Sequence, residues 1–259
     1  MQAAAAYLRA VRLVRDSVPN FKVYPFSIPS IQSLDELELD GKVTFLIGEN
    51  GSGKSTLLEA IAVLAGFNAE GGSKNFRFGT RRSESCLHQF MRPVRGHRRP
   101  RDGFFLRAES YFNVATEIER LDDEPSGGAR IIDQYGGVSL HEQSHGESFL
   151  ALAMHRLRGH GLYILDEPEA ALSPKRQLSL LSVIHELVEE RASQFVIATH
   201  SPILMAYPNA RIYRLGPNGI ERVAYEDTEH FRITRDFLNS PERYFKTLFR
   251  RPESDVIDE

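Results

Sequence analysis

Eight consecutive residues, Gly48-Glu49-Asn50-Gly51-Ser52-Gly53-Lys54-Ser55, satisfy the pattern G-x-x-x-x-G-K-[ST]. The chemistry of that spacing is anion capture. Glycines let the backbone curl until successive N–H groups turn inward on phosphate oxygens. A helix opening at Lys54 adds its positive end, Lys54 brings a point charge to the β- and γ-phosphates, and Ser55 offers a hydroxyl to Mg²⁺. Thr56 follows directly and belongs to the same binding set. A glycine-rich turn with no ligand is the plainer reading. The apolar run Val43–Ile47 before the motif and the helical pattern after it are the context a triphosphate site requires, and they favour the site.

A second group of chemically capable residues closes the run Leu162-Tyr163-Ile164-Leu165-Asp166-Glu167. A buried strand ending in Asp166 sets a carboxylate within reach of a cation held by Ser55. Glu167 then faces the terminal phosphate, where it can orient or deprotonate an attacking water. Taken alone the run reads equally as a strand ending in a solvated acidic turn. The phosphate loop in the same chain favours the functional reading.

The elements that position these residues follow from periodicity. Leu57, Leu58, Ile61, Leu64 and Ala65 recur at helical spacing until Gly66. Leu37–Leu39 and Val43–Ile47 flank Asp40-Gly41, which predicts a hairpin or a sharp strand-to-strand connection. Tyr7–Arg15 reads as a strand or as a helix continuing the alanines before it. Residues 70–101 read as loop, Gly103–Arg107 as a strand, Leu121–Gly128 as an acidic loop and Ser144–Arg158 as a helix. Leu162–Leu165 and Phe195–Ala198 are short buried strands, and Ser173-Pro174 and Ser201-Pro202 each open a helix. Apolar strands alternating with helices predict a mostly parallel sheet covered on both faces.

Composition sets the frame. The chain has 259 residues, 41% hydrophobic and 26% charged, with a net charge of −3. These values describe a globular chain and exclude a disordered, collagen-like or coiled-coil one. Cys86 is the only cysteine, so no intrachain disulfide forms and a reducing, cytoplasmic setting is expected. No apolar run reaches the roughly 18 residues of a membrane helix. Arg9, Arg12 and Arg15 interrupt any signal-peptide core after Met1–Ala6.

Two further segments complete a pattern. Gln143-Ser144-His145-Gly146-Glu147-Ser148 stands where Ser144 precedes Asp166 by 22 residues, and Ile197-Ala198-Thr199-His200-Ser201-Pro202 lies downstream. With the phosphate loop, Asp166-Glu167 and Ala170-Ala171-Leu172-Ser173, these resemble the ordered motifs of ATP-binding-cassette (ABC) ATPases: the signature, the switch histidine at His200 and the D-loop. The resemblance spans Gly48–Pro202. Gly48–Ile61 and Ser144–Ser148 look like soluble stand-alone ATPases of the RecF/SMC-like side. It implies an α/β P-loop fold of ABC type, with a mostly parallel sheet flanked by helices, an N-terminal antiparallel portion and a helical or irregular insertion carrying the signature. It further implies ATP and Mg²⁺ as cofactors, and a homodimer that sandwiches two nucleotides, Ser144 and Gly146 of one copy touching the γ-phosphate held by the other.

The chain departs from the family at His145 and Glu147, which replace a glycine and the glutamine of the signature. The family's Q-loop glutamine is missing after Gly103–Arg107; Glu109 stands near that point and is assigned as a metal contact. An adenine-stacking aromatic is expected upstream of the phosphate loop, at Tyr24 in preference to Phe26. The expected organisation is one domain over 1–259: a core lobe over about 1–69 and 159–240, an insertion lobe over about 70–158 and an acidic tail over about 252–259.

From Lys74 to Arg107 ten basic residues stand against Glu84 and Asp102, with five phenylalanines between them. Nucleic acid is one reading of that segment. The others are pairing with the acidic residues of 117–124 and ATP contacts from Arg81 and Arg82. His141 and His145 find no third ligand, so no transition-metal site is expected. The function these observations favour is an ATPase whose ATP-driven dimerisation acts on a partner in genome maintenance or defence. The ATP-binding subunit of a transporter and a low-turnover nucleotide-binding module are the alternatives.

Overall fold

The computed structural model describes residues 6–73, 85–107 and 145–249. Of residues 145, 146 and 148 it describes the backbone alone. Among the described residues, nine strands form two sheets: β1 (Leu8–Leu13), β2 (Glu36–Glu38), β3 (Val43–Ile47), β4 (Met91–Arg95), β5 (Asp102–Arg107), β6 (Gly161–Asp166), β7 (Gln194–Ala198), β8 (Arg211–Gly216) and β9 (Gly219–Val223). The helices are α1 (Pro29–Gln32), α2 (Lys54–Ala65), α3 (His145–Arg156), α4 (Pro174–Glu189), α5 (Pro202–Met205), α6 (Glu229–Asn239) and α7 (Pro241–Leu248).

The larger sheet has the order β5-β6-β7-β3-β8-β9, parallel throughout except for the β8–β9 hairpin. Strands β3, β5, β6 and β7 are apolar on both faces because both are covered. Phe45, Tyr163, Leu165, Phe195 and Ile197 point into a core shared with α3, α4 and α5. Leu46, Leu162, Ile164, Val196 and Ala198 point into a second core, shared with α2 and the small sheet. That small sheet, β2-β1-β4, is antiparallel. The expected P-loop α/β architecture with an N-terminal antiparallel portion is therefore the observed one.

One buried side chain fastens the two sheets together. Gln194 Oε1 accepts from the N–H groups of Tyr7 and Leu8 at 2.9 and 3.0 Å, while its Nε2 donates to the carbonyls of Leu8 and Asp40 at 2.7 and 2.8 Å. All of its hydrogen-bonding capacity is used, which is what a fully buried amide requires.

Tyr7–Arg15 resolves as a strand over Leu8–Leu13. Asp40-Gly41 is a connection between sheets, since β2 pairs with β1 and β3 with β7 and β8. The loop reading of 70–101 is corrected at β4. Its Pro93 lacks an N–H, yet it is tolerated because β4 is an edge strand. Within the stretch expected as an insertion lobe, β4 and β5 are hydrogen-bonded into the two sheets through β1 and β6. The expected acidic loop at 121–128 and the tail at 252–259 lie outside the described residues.

Candidate functional site

Three parallel neighbours, β6, β7 and β3, end level with one another, Asp166 and Leu46 both in register with Ala198. Ser55, Asp166, Glu167 and His200 sit at or just beyond those carboxyl ends, where open α/β sheets place their ligands.

After β3 the chain curls through Gly48, Gly51 and Gly53 at φ of +145°, +80° and +97°. The curl is also sterically reserved. A Cβ on Gly48 would stand 2.2 Å from the Leu215 carbonyl oxygen, and one on Gly53 would stand 2.8 Å from Ser30 Oγ. The curl leads straight into α2. Lys54, buried at 4% exposure, folds back so that Nζ donates to the carbonyls of Gly48 and Glu49 at 2.9 and 3.1 Å. Burial pulls its pKa below the ordinary lysine value, and the carboxylates of Glu167, Asp166, Glu49 and Glu169 pull the other way. Ser52 Oγ is buried with no hydrogen-bond partner among the described residues. A left-handed glycine cradle closed to a Cβ at Gly48 and crowded at Gly53, an unpartnered hydroxyl and a caged ammonium together suit a bound polyphosphate.

The carboxylate side is equally built. Ser55 Oγ donates to Asp166 Oδ1 at 3.1 Å. These two oxygens are of the kind that hold Mg²⁺ in phosphoryl-transfer sites. Glu167 adopts a left-handed backbone at φ +49°, unusual for a residue with a side chain, and its N–H donates to the Ala198 carbonyl. Its carboxylate stands 3.5 Å from His200 Nε2. The two residues sequence reading paired by motif order are thus brought together in space.

Several contributors were not legible in the sequence. Glu169 accepts from Thr199 Oγ1 at 2.8 Å and from the backbone N–H of His200, so it ties the turn after β6 to the end of β7. Arg107, counted in sequence among the basic residues of 74–107, lies inside the site. Its guanidinium meets Glu59 at 2.9 Å and Asp166 at 3.4 Å. The register that sets Arg107 of β5 opposite Asp166 of β6 is a tertiary fact with no local signal. His230, from α6, brings its Nε2 to 3.2 Å from His200 Nδ1.

Tyr24 is 65% exposed with its hydroxyl 3.4 Å from Thr56 Oγ1, beside the phosphate loop. Phe26 is core, packed edge-on against Phe21 and Phe90. Gly146 falls in the first turn of α3, whereas Ser144 and Glu109 lie outside the described residues, as do 74–84 and 117–124. Arg98, Arg99 and Arg101 sit between β4 and β5 at the amino ends of β5 and β6, where the Arg101 N–H donates to the His160 carbonyl. That is the opposite edge of the sheet from the phosphate loop.

Fold and site together define a P-loop nucleotide-binding protein. The family described as "AAA domain, putative AbiEii toxin, Type IV TA system" matches residues 91–206, and a further "AAA domain" family matches 19–122. The cytochrome c biogenesis ATP-binding export protein CcmA of Legionella pneumophila is 31% identical over 161 residues, covering 59% of this chain and 74% of that protein. The tungstate uptake system ATP-binding protein TupC of Campylobacter jejuni is 24% identical over 233 residues, covering 82% and 70%. Among solved structures, the SMC head domain from Thermotoga maritima aligns with a TM-score of 0.43 at 16% identity, covering 83% of this chain and 98% of that one. The chain belongs to the ABC-type P-loop ATPases and binds ATP. Among the described residues, no helix is long and apolar enough to cross a membrane.

Proposed function

We propose that this protein hydrolyses Mg-ATP at a composite site formed between two copies of itself and passes the resulting closure to a partner. The observation that carries the reading is the convergence of Ser55, Asp166, Glu167 and His200 beyond three adjacent strand ends. Glycines 48, 51 and 53, with Glu49, Asn50, Ser52, Lys54 and Thr56, hold the phosphates, and Tyr24 offers its exposed ring to the adenine. Ser55 and Asp166 would hold Mg²⁺, with Glu109 as a third candidate, and a metal bound there would neutralise phosphate charge. Glu167 orients the attacking water and accepts its proton, and His200 donates toward the charge that develops there. Ser144 and Gly146 of a second copy complete the γ-phosphate shell at the start of α3. Cytoplasmic ATP and Mg²⁺ supply the site.

Light scattering tests this directly. Glu167→Gln should run as a dimer in Mg-ATP and as a monomer without it. A mass indifferent to nucleotide would return Ser144 and Gly146 to a merely structural role. A second reading, the ATP-binding subunit of a transporter, is favoured by relatives such as TupC and CcmA, ATP-binding proteins of uptake and export systems. Co-purification of the untagged protein with the membrane fraction, rather than as free dimer, would select it.

A further inference from the structure

His200 has two ring nitrogens, and the structure gives each a different neighbour. Nε2 lies 3.5 Å from Glu167 Oε1, and Nδ1 lies 3.2 Å from His230 Nε2. The rings stand 5.3 Å apart at 56°, so the contact is edge to edge through the nitrogens and not a stack. A single proton lies between Nδ1 of one ring and Nε2 of the other, and its owner decides what His200 can do.

The surroundings decide the owner. His230 Nδ1 is buried and has no hydrogen-bond partner among the described residues, as is also true of His200 Nε2. If His200 donated from Nδ1, His230 would carry its proton on Nδ1, a buried donor without an acceptor. In the neutral pair, His200 would also turn a bare lone pair toward the Glu167 carboxylate. If His230 donates instead, its orphaned Nδ1 is only an unused acceptor, and the donor left over is His200 Nε2–H, which faces the Glu167 carboxylate at 3.5 Å, the milder arrangement.

We infer that His230 is a positioning residue for His200: its Nε2–H donates to His200 Nδ1 and holds the switch imidazole in the Nε2–H tautomer, a neutral donor facing Glu167. The inference rests on the hydrolytic reading of Glu167 and His200 proposed above. Burial first, and then the neighbouring His200, lower the pKa of His230; Lys54 of the phosphate loop acts in the same direction, while Glu49 and Glu229 oppose it. A neutral His230 is the form the hydrogen bond needs. Its ring is held in place by the start of α6. Thr228 caps that helix by accepting from the Phe231 N–H and donates to the Tyr225 carbonyl, and the Tyr225 hydroxyl donates to the Pro202 carbonyl two residues past His200. The loop carrying His200 and the helix carrying His230 are thereby fastened to one another.

Kinetics and spectroscopy test separate parts of this. His230→Leu should lower kcat about 10–100-fold with little change in KM for ATP, the scale of losing an outer-shell partner. His230→Gln should restore most of the loss, because its amide Nε2 also carries N–H. In a His200→Ala background, His230→Leu should cost almost nothing more. Equal losses in the two backgrounds, or a glutamine variant as poor as leucine, would overturn the inference. Independently of turnover, ¹⁵N-histidine NMR of the full chain should show a two-bond nitrogen–nitrogen coupling across the pair, with the proton on His230 Nε2. A proton on His200 Nδ1 overturns the assignment whatever the ATPase rate. Should Glu167→Gln leave turnover intact, the hydrolytic role falls while the NMR result still decides the pairing.

Discussion

The two edges of the large sheet treat charge in opposite ways. Beyond the carboxyl ends of β3, β5, β6 and β7, cations are withdrawn from solvent and answered: buried Lys54 by its own loop carbonyls, half-buried Arg107 by Glu59 and Asp166. At the amino ends of β5 and β6, Arg98, Arg99 and Arg101 project as exposed side chains on a short connection. Arg92 and Arg95, nearby on β4, donate to backbone carbonyls at Met91 and Leu64. Arginine count therefore says little about function. The same residue type is machinery where a strand register sets it among carboxylates and is solvated surface where it does not.

Substitutions at the nucleotide edge should have the largest effects. Glu167→Gln is expected to keep ATP binding and lose about 10²–10⁴-fold in hydrolysis, while Lys54→Ala fails earlier, at nucleotide binding itself. Equilibrium binding of a fluorescent ATP analogue, read beside phosphate release, separates the two. Next comes Arg107→Met, which leaves Glu59 and Asp166 facing one another without their shared cation. Breaking such a pair destabilises by about 3–5 kcal/mol, measurable as a shift in urea midpoint. A loss under about 1 kcal/mol would mean that Arg107 belongs with the exposed arginines after all.

A smaller effect follows from His230. Its pKa lies below 6.5 in the folded protein, so the unfolded chain binds the proton more readily. The resulting penalty is absent above about pH 6.5, sets in as pH falls through that value and levels off below the folded pKa. Stability measured against pH should show this fall in the wild type and a shallower one in His230→Gln. The smallest effect belongs to the opposite edge. Replacing Arg92, Arg95, Arg98, Arg99 and Arg101 with glutamine should leave basal hydrolysis nearly intact, at a cost of about 0–1 kcal/mol for each exposed pair lost. If nucleic acid binds there, the variant flattens a salt dependence of roughly −0.7 per contact on single strands. No oligonucleotide binding at low salt, with or without Mg-ATP, would end that reading.

What could be read in sequence was whatever is written locally. The phosphate loop, α2 with its stop at Gly66, and the apolar strands β3, β5, β6 and β7 each announce themselves within a dozen residues. β4 did not, because Pro93 and its flanking arginines look like loop until β1 lies alongside. The roles of Glu169, Arg107 and His230 are set by partners 30 or more residues away: Thr199, Glu59 and His200 respectively. No window of sequence contains such pairs, whereas Ser55 and Asp166, 111 residues apart, were joined only because each carries its own motif.

Gln194 has a consequence for how the molecule is made. Its amide clasps Tyr7 and Leu8 across a separation of 187 and 186 residues, so the contact that ties β1 to the central sheet cannot form until β7 has been synthesised. At synthesis rates of about 5–20 residues per second, that interval is roughly 10–40 s. In the meantime β1 can pair with β2 and β4 and bury Leu8, Val11 and Leu13 against Leu37, Leu57 and Leu58, all of which precede residue 96. The small sheet can thus close on itself early in synthesis, while the seam that joins it to the large sheet is among the last parts of the molecule to form.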